Sequence, residues 1–246
     1  MYLNTTALVL RINDYNERDA LLTLLTRDHG KITAKARGLR RKNSPLAASC
    51  QLLALCEVTL FEYRGMFTIN EAHPIELFTP LRSDLQKLAL GSYFAQTADV
   101  ISQEDVPNRE LQALVLNCLY AMSEMDIPPD TVKAVYELRI ACIAGYTPDL
   151  SACCCGAGEV PMFFDLSGGG LLCARCQTSA VGIRLPVNPG ALAALRYLIT
   201  CEPKRLFCFT VGSEAKTQLS HITEAYLVTQ LERGFSTLDF YKSLLI

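Results

Sequence analysis

The sequence predicts an α+β protein in which an OB-type β-barrel is followed by an all-α domain with a Cys-rich, zinc-finger-like insertion. Short segments with period-two alternation fill residues 1–80, and segments with helical spacing fill much of residues 81–246. Two groups of cysteines lie within residues 151–180. We therefore expect a barrel domain over 1–80 and a helical domain over 81–246, with 151–180 as a zinc-knuckle-like insertion.

Five strands are expected in the first domain. They are Thr5–Ile12, Ala20–Thr26, Lys31–Arg37, Leu52–Tyr63 and Met66–Ala72. The short apolar run Ala20–Thr26 fits either a helix or a buried strand, and we favour a strand because Asp28-His29-Gly30 forms a tight turn after it. Short antiparallel strands expose edges unless they close, so we expect a five-stranded Greek-key barrel of the OB type.

Apolar residues recur at helical spacing after Pro80. The expected helices are Ser83–Ser102 with Ser83 as N-cap, a second from Pro107 to about Met122, a third from Pro128 to about Ala144, then Asn188–Thr200 and Ser213–Arg233. Gly145 is expected to end the third helix. Leu238–Ile246 is interpreted as a short apolar tail.

The Cys-rich stretch Ser151–Gln177 is expected to be irregular. Its cysteines are the run Cys153-Cys154-Cys155 and the CxxC pair Cys173 and Cys176. Four thiolates in two knuckles hold Zn²⁺ tetrahedrally, so we expect Cys153, Cys155, Cys173 and Cys176 as ligands. Cys154 is an alternative to either of the first two, and a degenerate site or plain buried thiols would also explain the pattern. Four protein ligands would leave no open position, which predicts a structural role.

Positive charge is concentrated in Gly30–Pro45, which we call the basic segment. Its cations are Lys31, Lys35, Arg37, Arg40, Arg41 and Lys42, with no acid between Lys31 and Pro45. The whole chain has a net charge of −2, so this charge is local and steers a ligand to one face. We expect the six cations to contact nucleic-acid phosphates, which gives affinity without sequence information.

Other residues are weaker candidates for the same surface. Arg11 and Arg64 extend the patch unless they are merely solvated. Phe61, Tyr63 and Phe67 are candidates for base stacking, although barrel core or cross-strand pairing explains them equally well. The alternative function is an adaptor that docks acidic peptides through the basic loop. A groove near Arg196, Lys204, Arg205 and Lys216 would also serve such a peptide.

No catalytic constellation is evident in the sequence. The three histidines are isolated, and no GxxxxGK[ST], GxGxxG after a strand, or HExxH motif is present. We therefore expect a protein that is not an enzyme. Eleven cysteines without an export signal favour a reducing cytoplasm, and no apolar run reaches the roughly 18 residues of a spanning helix.

The order of these parts resembles the bacterial RecO family of recombination mediators. The resemblance covers essentially the whole chain, and its most specific parts are Asp14–Asp19 leading into LLTLLTRDHGKI, Ala36–Gly38, and GGGLLCARC. It implies an OB-fold domain, a helical domain and, in some members, a zinc site. The departure is CCCG, where the zinc-bearing members have CxxCG.

The resemblance also implies a function and partners. Members bind single- and double-stranded DNA and anneal complementary strands. They act with RecR to load RecA onto DNA coated by single-strand DNA-binding protein, whose acidic C-terminal tail they contact. RecF is a further expected partner, and the expected location is the cytoplasm, in association with the nucleoid.

Overall fold

The computed structural model describes residues 1–125, 127–158, 161–178 and 181–245. Residues 159, 160, 179 and 180 of the predicted Cys-rich insertion, and the last residue of the predicted tail, therefore lie outside the described residues. The chain forms two compact units: Met1–Met125 with Phe235–Ile246, and Asp126–Gly234. The division into domains after residue 80 stays a prediction. No helix among the described residues is long and apolar enough to cross a membrane.

Five strands of the first unit form a closed barrel. They are β1 (Tyr2–Asp14), β2 (Ala20–Thr26), β3 (Lys31–Ala36), β4 (Leu55–Tyr63) and β5 (Met66–Glu76). Their order is β1-β2-β3-β5-β4, with β3 and β5 parallel, the other neighbours antiparallel, and β4 paired back to β1. The OB-fold barrel is confirmed, and the apolar run Ala20–Thr26 is a strand.

The barrel core explains why these segments form strands. Alternate side chains of each strand point inward, and they include Val9, Leu22, Leu24, Ile32, Val58 and Leu60. Burying a Val, Leu or Ile side chain contributes about 1.5–3 kcal/mol relative to leaving it exposed. The small inward residues Ala34 and Ala36 allow β3 to approach the facing wall closely, and both are fully buried. The same alternation places the lysines of β3 outside.

In its described residues, the first unit also contains four α-helices. They are α1 (Thr79–Arg82), α2 (Leu85–Ile101), α3 (Arg109–Glu124) and, near the C-terminus, α7 (Ser236–Ser243). The predicted N-cap Ser83 is wrong: Asp84 caps α2 by accepting hydrogen bonds from two first-turn amides at 2.9 and 3.1 Å. The predicted C-terminal tail is a helix that packs on α2, with the rings of Phe235 and Tyr93 5.6 Å apart.

The described residues of the second unit combine three α-helices with a small sheet. The helices are α4 (Pro129–Ile143), α5 (Pro189–Thr200) and α6 (Ser213–Gln230). The sheet has the order β6-β8-β7-β9, formed by β6 (Asp149–Cys153), β7 (Met162–Asp165), β8 (Gly170–Cys173) and β9 (Arg184–Val187). The prediction of an irregular Cys-rich stretch is therefore wrong. Strands of four or five residues give too little alternation to be recognised in the sequence.

Gly30 fixes the turn from which the basic segment starts. Its φ of +66° lies in the left-handed region, and a Cβ atom there would lie 2.5 Å from the backbone oxygen of Val106. The neighbouring Lys31 amide donates to the carbonyl of Gln103 at 3.0 Å. The β2–β3 turn is thus packed directly against the α2–α3 connection, and only glycine fits.

We expect Gly30→Ala to lower the free energy of unfolding by about 2–4 kcal/mol, because it adds a left-handed penalty and a backbone clash. Urea unfolding followed by circular dichroism measures this value. Gly65→Ala is the matched control, since Gly65 has a φ of +76° but open space around its Cβ position. It should cost only about 1 kcal/mol, from backbone conformation alone. Equal losses for the two variants would contradict the packing argument.

Candidate nucleic-acid interface and cysteine cluster

The basic segment comprises the outer face of β3 and the loop that follows it. Ile32, Ala34 and Ala36 are buried in the barrel, whereas Lys31 and Lys35 point away from the core. Beyond the strand, Gly38 has a φ of +67° and turns the chain into the cationic loop. The structure therefore places the predicted cations along one strand and at the adjoining rim of the barrel.

Three of the six predicted cations are paired with carboxylates from distant parts of the sequence. The pairs are Lys31 with Asp99 at 3.2 Å, Lys35 with Asp19 at 3.0 Å and Arg40 with Asp14 at 3.0 Å. The side chains of Lys31 and Lys35 are each only 19% exposed. The charges of these cations are therefore partly neutralised. The basic segment does not reveal this, because the acids lie outside it.

The other three cations are exposed and have no acidic partner in the part of the chain that the structure describes. Arg37, Arg41 and Lys42 are exposed, and no carboxylate oxygen of the described chain lies within 4.0 Å of their cationic nitrogens. Their charge is therefore directed to solvent. An uncompensated cationic cluster of this kind attracts polyanions, and the attraction weakens with salt.

Asp19 organises the base of the loop. Its carboxylate accepts hydrogen bonds from the Gly38 amide at 2.8 Å and the Asn16 side chain at 3.0 Å, in addition to the Lys35 ion pair. The Gly38 amide, Lys35 and Asn16 together hold the pKa of Asp19 well below its usual range. The Arg40 amide also donates to the carbonyl of Arg18 at 3.1 Å. The turn after β1 thus holds the loop after β3.

A depressed pKa gives the direction of the pH dependence. The ordering that Asp19 provides is complete above its unfolded pKa, near 4, and is lost only as the pH falls through the lower, folded value. The loop is therefore held in place throughout the neutral range.

The remaining sequence candidates fall in different environments. Arg11 pairs with Asp99 at 3.3 Å, and Arg64 lies over the ring of Tyr63 at 5.2 Å. Phe67 is half-buried against the barrel core, so it is not available as a flat stacking surface. Among the residues proposed for a peptide groove, Arg196 donates to two backbone carbonyls at 2.7 and 3.0 Å.

The second unit brings four cysteine sulfurs together. The Sγ atoms of Cys153, Cys155, Cys173 and Cys176 all lie within 4.8 Å of one another. Cys155 is 3.6 Å from Cys153 and 3.7 Å from Cys173, measured between sulfurs. A tetrahedral zinc ion with Zn–S bonds of about 2.3 Å requires sulfurs about 3.8 Å apart, so this cluster has the geometry to hold a metal ion.

The protonation chemistry of the cluster also suits a cation. Backbone N–H groups of Cys155 and Cys173 donate to the Cys153 sulfur and lower its pKa to about 6. The Cys176 thiol donates hydrogen bonds to the sulfurs of Cys153 and Cys155, and these bonds raise its pKa. Four thiolates at this distance repel each other, and a bound divalent cation is what allows all four to ionise.

The two knuckles are fixed by the small sheet and its helices. Cys153 ends β6 and Cys173 ends β8, and these two strands are paired. Arg196 of α5 donates to the carbonyls of Leu150 and Ser151 in β6, and Gln230 of α6 donates to the Leu166 carbonyl at 2.8 Å. The sheet that carries the cluster is therefore held to both helices by long-range hydrogen bonds.

Comparison with known proteins covers both parts of the chain. The family model described as Recombination protein O N terminal matches residues 1–78, and that described as Recombination protein O C terminal matches residues 82–239.

Similar proteins are named DNA repair protein RecO. The one from Acetivibrio thermocellus is 33% identical over 245 residues, covering 99% of this chain and 97% of the relative. That from Symbiobacterium thermophilum is 28% identical, covering 98% and 97%. That from Heliobacterium modesticaldum is 35% identical over 225 residues, covering 88% and 80%.

We expect Asp19→Ala to accelerate amide hydrogen exchange at Gly38 by about tenfold or more, because the charged acceptor of that amide is removed. Exchange followed by NMR measures this directly. Asp14→Ala is the control, since among the described residues Asp14 pairs only with an exposed arginine side chain and accepts no loop amide. Similar acceleration in the two variants would show that the loop is held by general charge rather than by the Asp19 hydrogen bonds.

Proposed function

The chain belongs to the RecO family of DNA repair proteins, and on that premise we propose that it is a non-catalytic, DNA-binding recombination mediator. In this proposal it binds single- and double-stranded DNA and anneals complementary strands. With RecR, it helps to load RecA onto DNA coated by single-strand DNA-binding protein. Its further partners would be RecF and the acidic tail of that coating protein, both carried over from the family resemblance.

The main support is the exposed cationic rim of the barrel. Arg37, Arg41 and Lys42 are exposed and free of carboxylate partners among the described residues. Phosphates that take these positions release counterions, and this release supplies affinity irrespective of sequence. Annealing requires such sequence-independent affinity, because the phosphate charges of two complementary strands must be neutralised together without preference for either strand.

The paired cations contribute differently. Lys31, Lys35 and Arg40 already have carboxylate partners at 3.0–3.2 Å. A phosphate must displace or share that partner, so each contact releases less net free energy than a contact to a free cation. We therefore propose that all six cations line the strand path, with Arg37, Arg41 and Lys42 supplying most of the salt-dependent affinity.

For the cysteine cluster we propose a structural zinc ion held by Cys153, Cys155, Cys173 and Cys176. The sulfur spacing and the hydrogen bonds to the Cys153 sulfur support this ligand set. Cys154 lies between two proposed ligands in the sequence and is exposed. Its sulfur is 3.9 Å from that of Cys153. Bound zinc would cross-link the two knuckles without taking part in catalysis.

A salt titration tests the DNA-binding proposal. Wild-type affinity for single-stranded DNA should fall with a log–log slope of about −0.7 for each phosphate contact. In Arg41→Ala/Lys42→Ala the slope should flatten by about 1.4, because two contacts are lost. Fluorescence anisotropy with a labelled oligonucleotide, repeated with a duplex, measures both affinities.

The matched control is Lys204→Ala/Arg205→Ala, which also removes one lysine and one arginine, both exposed. It should leave the slope unchanged. The basic loop would not be the DNA site if both double variants flattened the slope equally, or if neither did. Peptide binding measured on the same loop variant addresses the adaptor alternative, which predicts loss of acidic-peptide binding with DNA binding intact.

Native mass spectrometry tests the metal proposal. The purified wild-type chain should carry one zinc ion, and Cys176→Ser should carry none because one of four ligands is lost. Cys154→Ser is the control and should retain one ion. Zinc loss in Cys154→Ser with retention in Cys155→Ser would instead assign Cys154 as the ligand.

A further inference from the structure

A row of exposed apolar side chains runs across the outside of the barrel. It comprises Tyr2, Phe61, Tyr63 and Met66, which are 64%, 37%, 61% and 52% exposed. We call these four residues the aromatic row. Single exposed apolar residues are common, but a contiguous group on three neighbouring strands indicates a binding surface.

Strand register brings these side chains together. Tyr2 of β1 lies opposite Phe61 of β4, with ring centroids 5.1 Å apart and planes inclined at 49°. Tyr63 lies two residues further along the same face and opposite Met66 of β5. The row therefore presents three rings on a rigid sheet rather than on a mobile loop.

Arg64 sits at the end of this row in an unusual backbone conformation. Arg64 and Gly65 form the two-residue turn between β4 and β5, with φ values of +52° and +76°. Positive φ at both positions favours Asn-Gly, and an arginine at the first position is strained. Its guanidinium lies 5.2 Å from the Tyr63 ring centroid, within cation–π distance. The strained residue thus adds a cation to the aromatic surface.

The aromatic row is continuous with the basic segment. Lys35 of β3 is the register partner of Thr68 in the parallel strand β5. Thr68 in turn lies opposite Phe61 of β4. Neighbouring strands lie about 4.8 Å apart, so Lys35 and Phe61 are separated by about 10 Å across the sheet. A single strand whose phosphates follow the basic segment would therefore have its bases within reach of the rings.

Acidic residues mark the other end of the same face. Glu71 lies opposite Thr59, which is two residues from Phe61 along β4, and Glu57, four residues from Phe61, lies opposite Thr6. Carboxylates repel phosphates, so a DNA strand is directed toward the Arg64 end. Cations lie at the basic-segment side of the row and at the Arg64 turn, and acids lie further along β4. This charge arrangement fits a polyanion with exposed planar bases better than an acidic peptide.

We propose that Tyr2, Phe61, Tyr63 and Arg64 form a platform on which the bases of single-stranded DNA stack. This inference rests on the proposed DNA-binding function and assigns a separate task within it. The basic segment holds phosphates of either DNA form, whereas the platform engages only unpaired bases. Duplex DNA encloses its bases and gains nothing from the rings.

The test compares three ligands of equal length: oligo(dT), the same oligonucleotide with abasic sites throughout, and a blunt duplex. Fluorescence anisotropy measures affinity for wild type, Phe61→Leu/Tyr63→Leu and, as an exposed aromatic control on α3, Tyr120→Leu. The double variant should lose at least about fivefold in oligo(dT) affinity, since stacking contributes about 1–3 kcal/mol per base. Its affinity for the abasic strand and duplex, and every affinity of the control, should stay at wild-type values.

Arg64→Asn provides an independent arm. It should weaken oligo(dT) binding without lowering the thermal midpoint, because Asn suits the left-handed turn better than Arg. Wild-type oligo(dT) affinity retained in both variants, or an equal loss on all three ligands, would overturn the platform. A change in oligomeric state with unchanged DNA binding would also overturn it, by assigning the row to a protein interface. Failure of the wild type to bind any ligand would instead refute the proposed function itself.

Discussion

In a closed five-stranded barrel, the side chain of each strand residue lies either in the core or on the outer surface. Because alternate side chains face opposite ways, filling the core with Ile32, Ala34 and Ala36 forces Lys31 and Lys35 outward. The same constraint in β4 buries Val58 and Leu60 and exposes Phe61 and Tyr63. A one-residue slip would exchange both sets, so core packing fixes the cationic and aromatic surfaces together.

Electrostatics then divides the cations into two groups. Those nearest the sheet are paired with acids: Lys35 with Asp19, and Lys31 with Asp99. Arg40 on the loop also has an acidic partner, whereas the other three loop cations are exposed and have none among the residues described. The acids fix the position of the strand and the loop base, so that the free cations are displayed from an ordered support.

Local patterns in the sequence were sufficient for the barrel, for most helices and for the grouping of Cys153, Cys155, Cys173 and Cys176. They were insufficient wherever a contact joins distant residues. Lys31 and Asp99 are 68 positions apart, so neither neighbourhood shows that the lysine is neutralised. Tyr2 was missed as well, because only the register of β1 on β4 places it beside Phe61.

The proposed annealing function requires a surface that releases strands as readily as it binds them, and the exposure of the cations bears on this requirement. The phosphate contacts proposed for Arg41 and Lys42 would lie at the solvent boundary and be screened by salt, whereas a buried ion pair would hold its phosphate through a desolvated contact. Base stacking adds affinity only while a base is unpaired. Once complementary strands pair, the bases would leave the proposed platform, and the remaining phosphate contacts would be those that salt weakens most. In the proposed function, this arrangement would favour capture of single strands and release of the duplex.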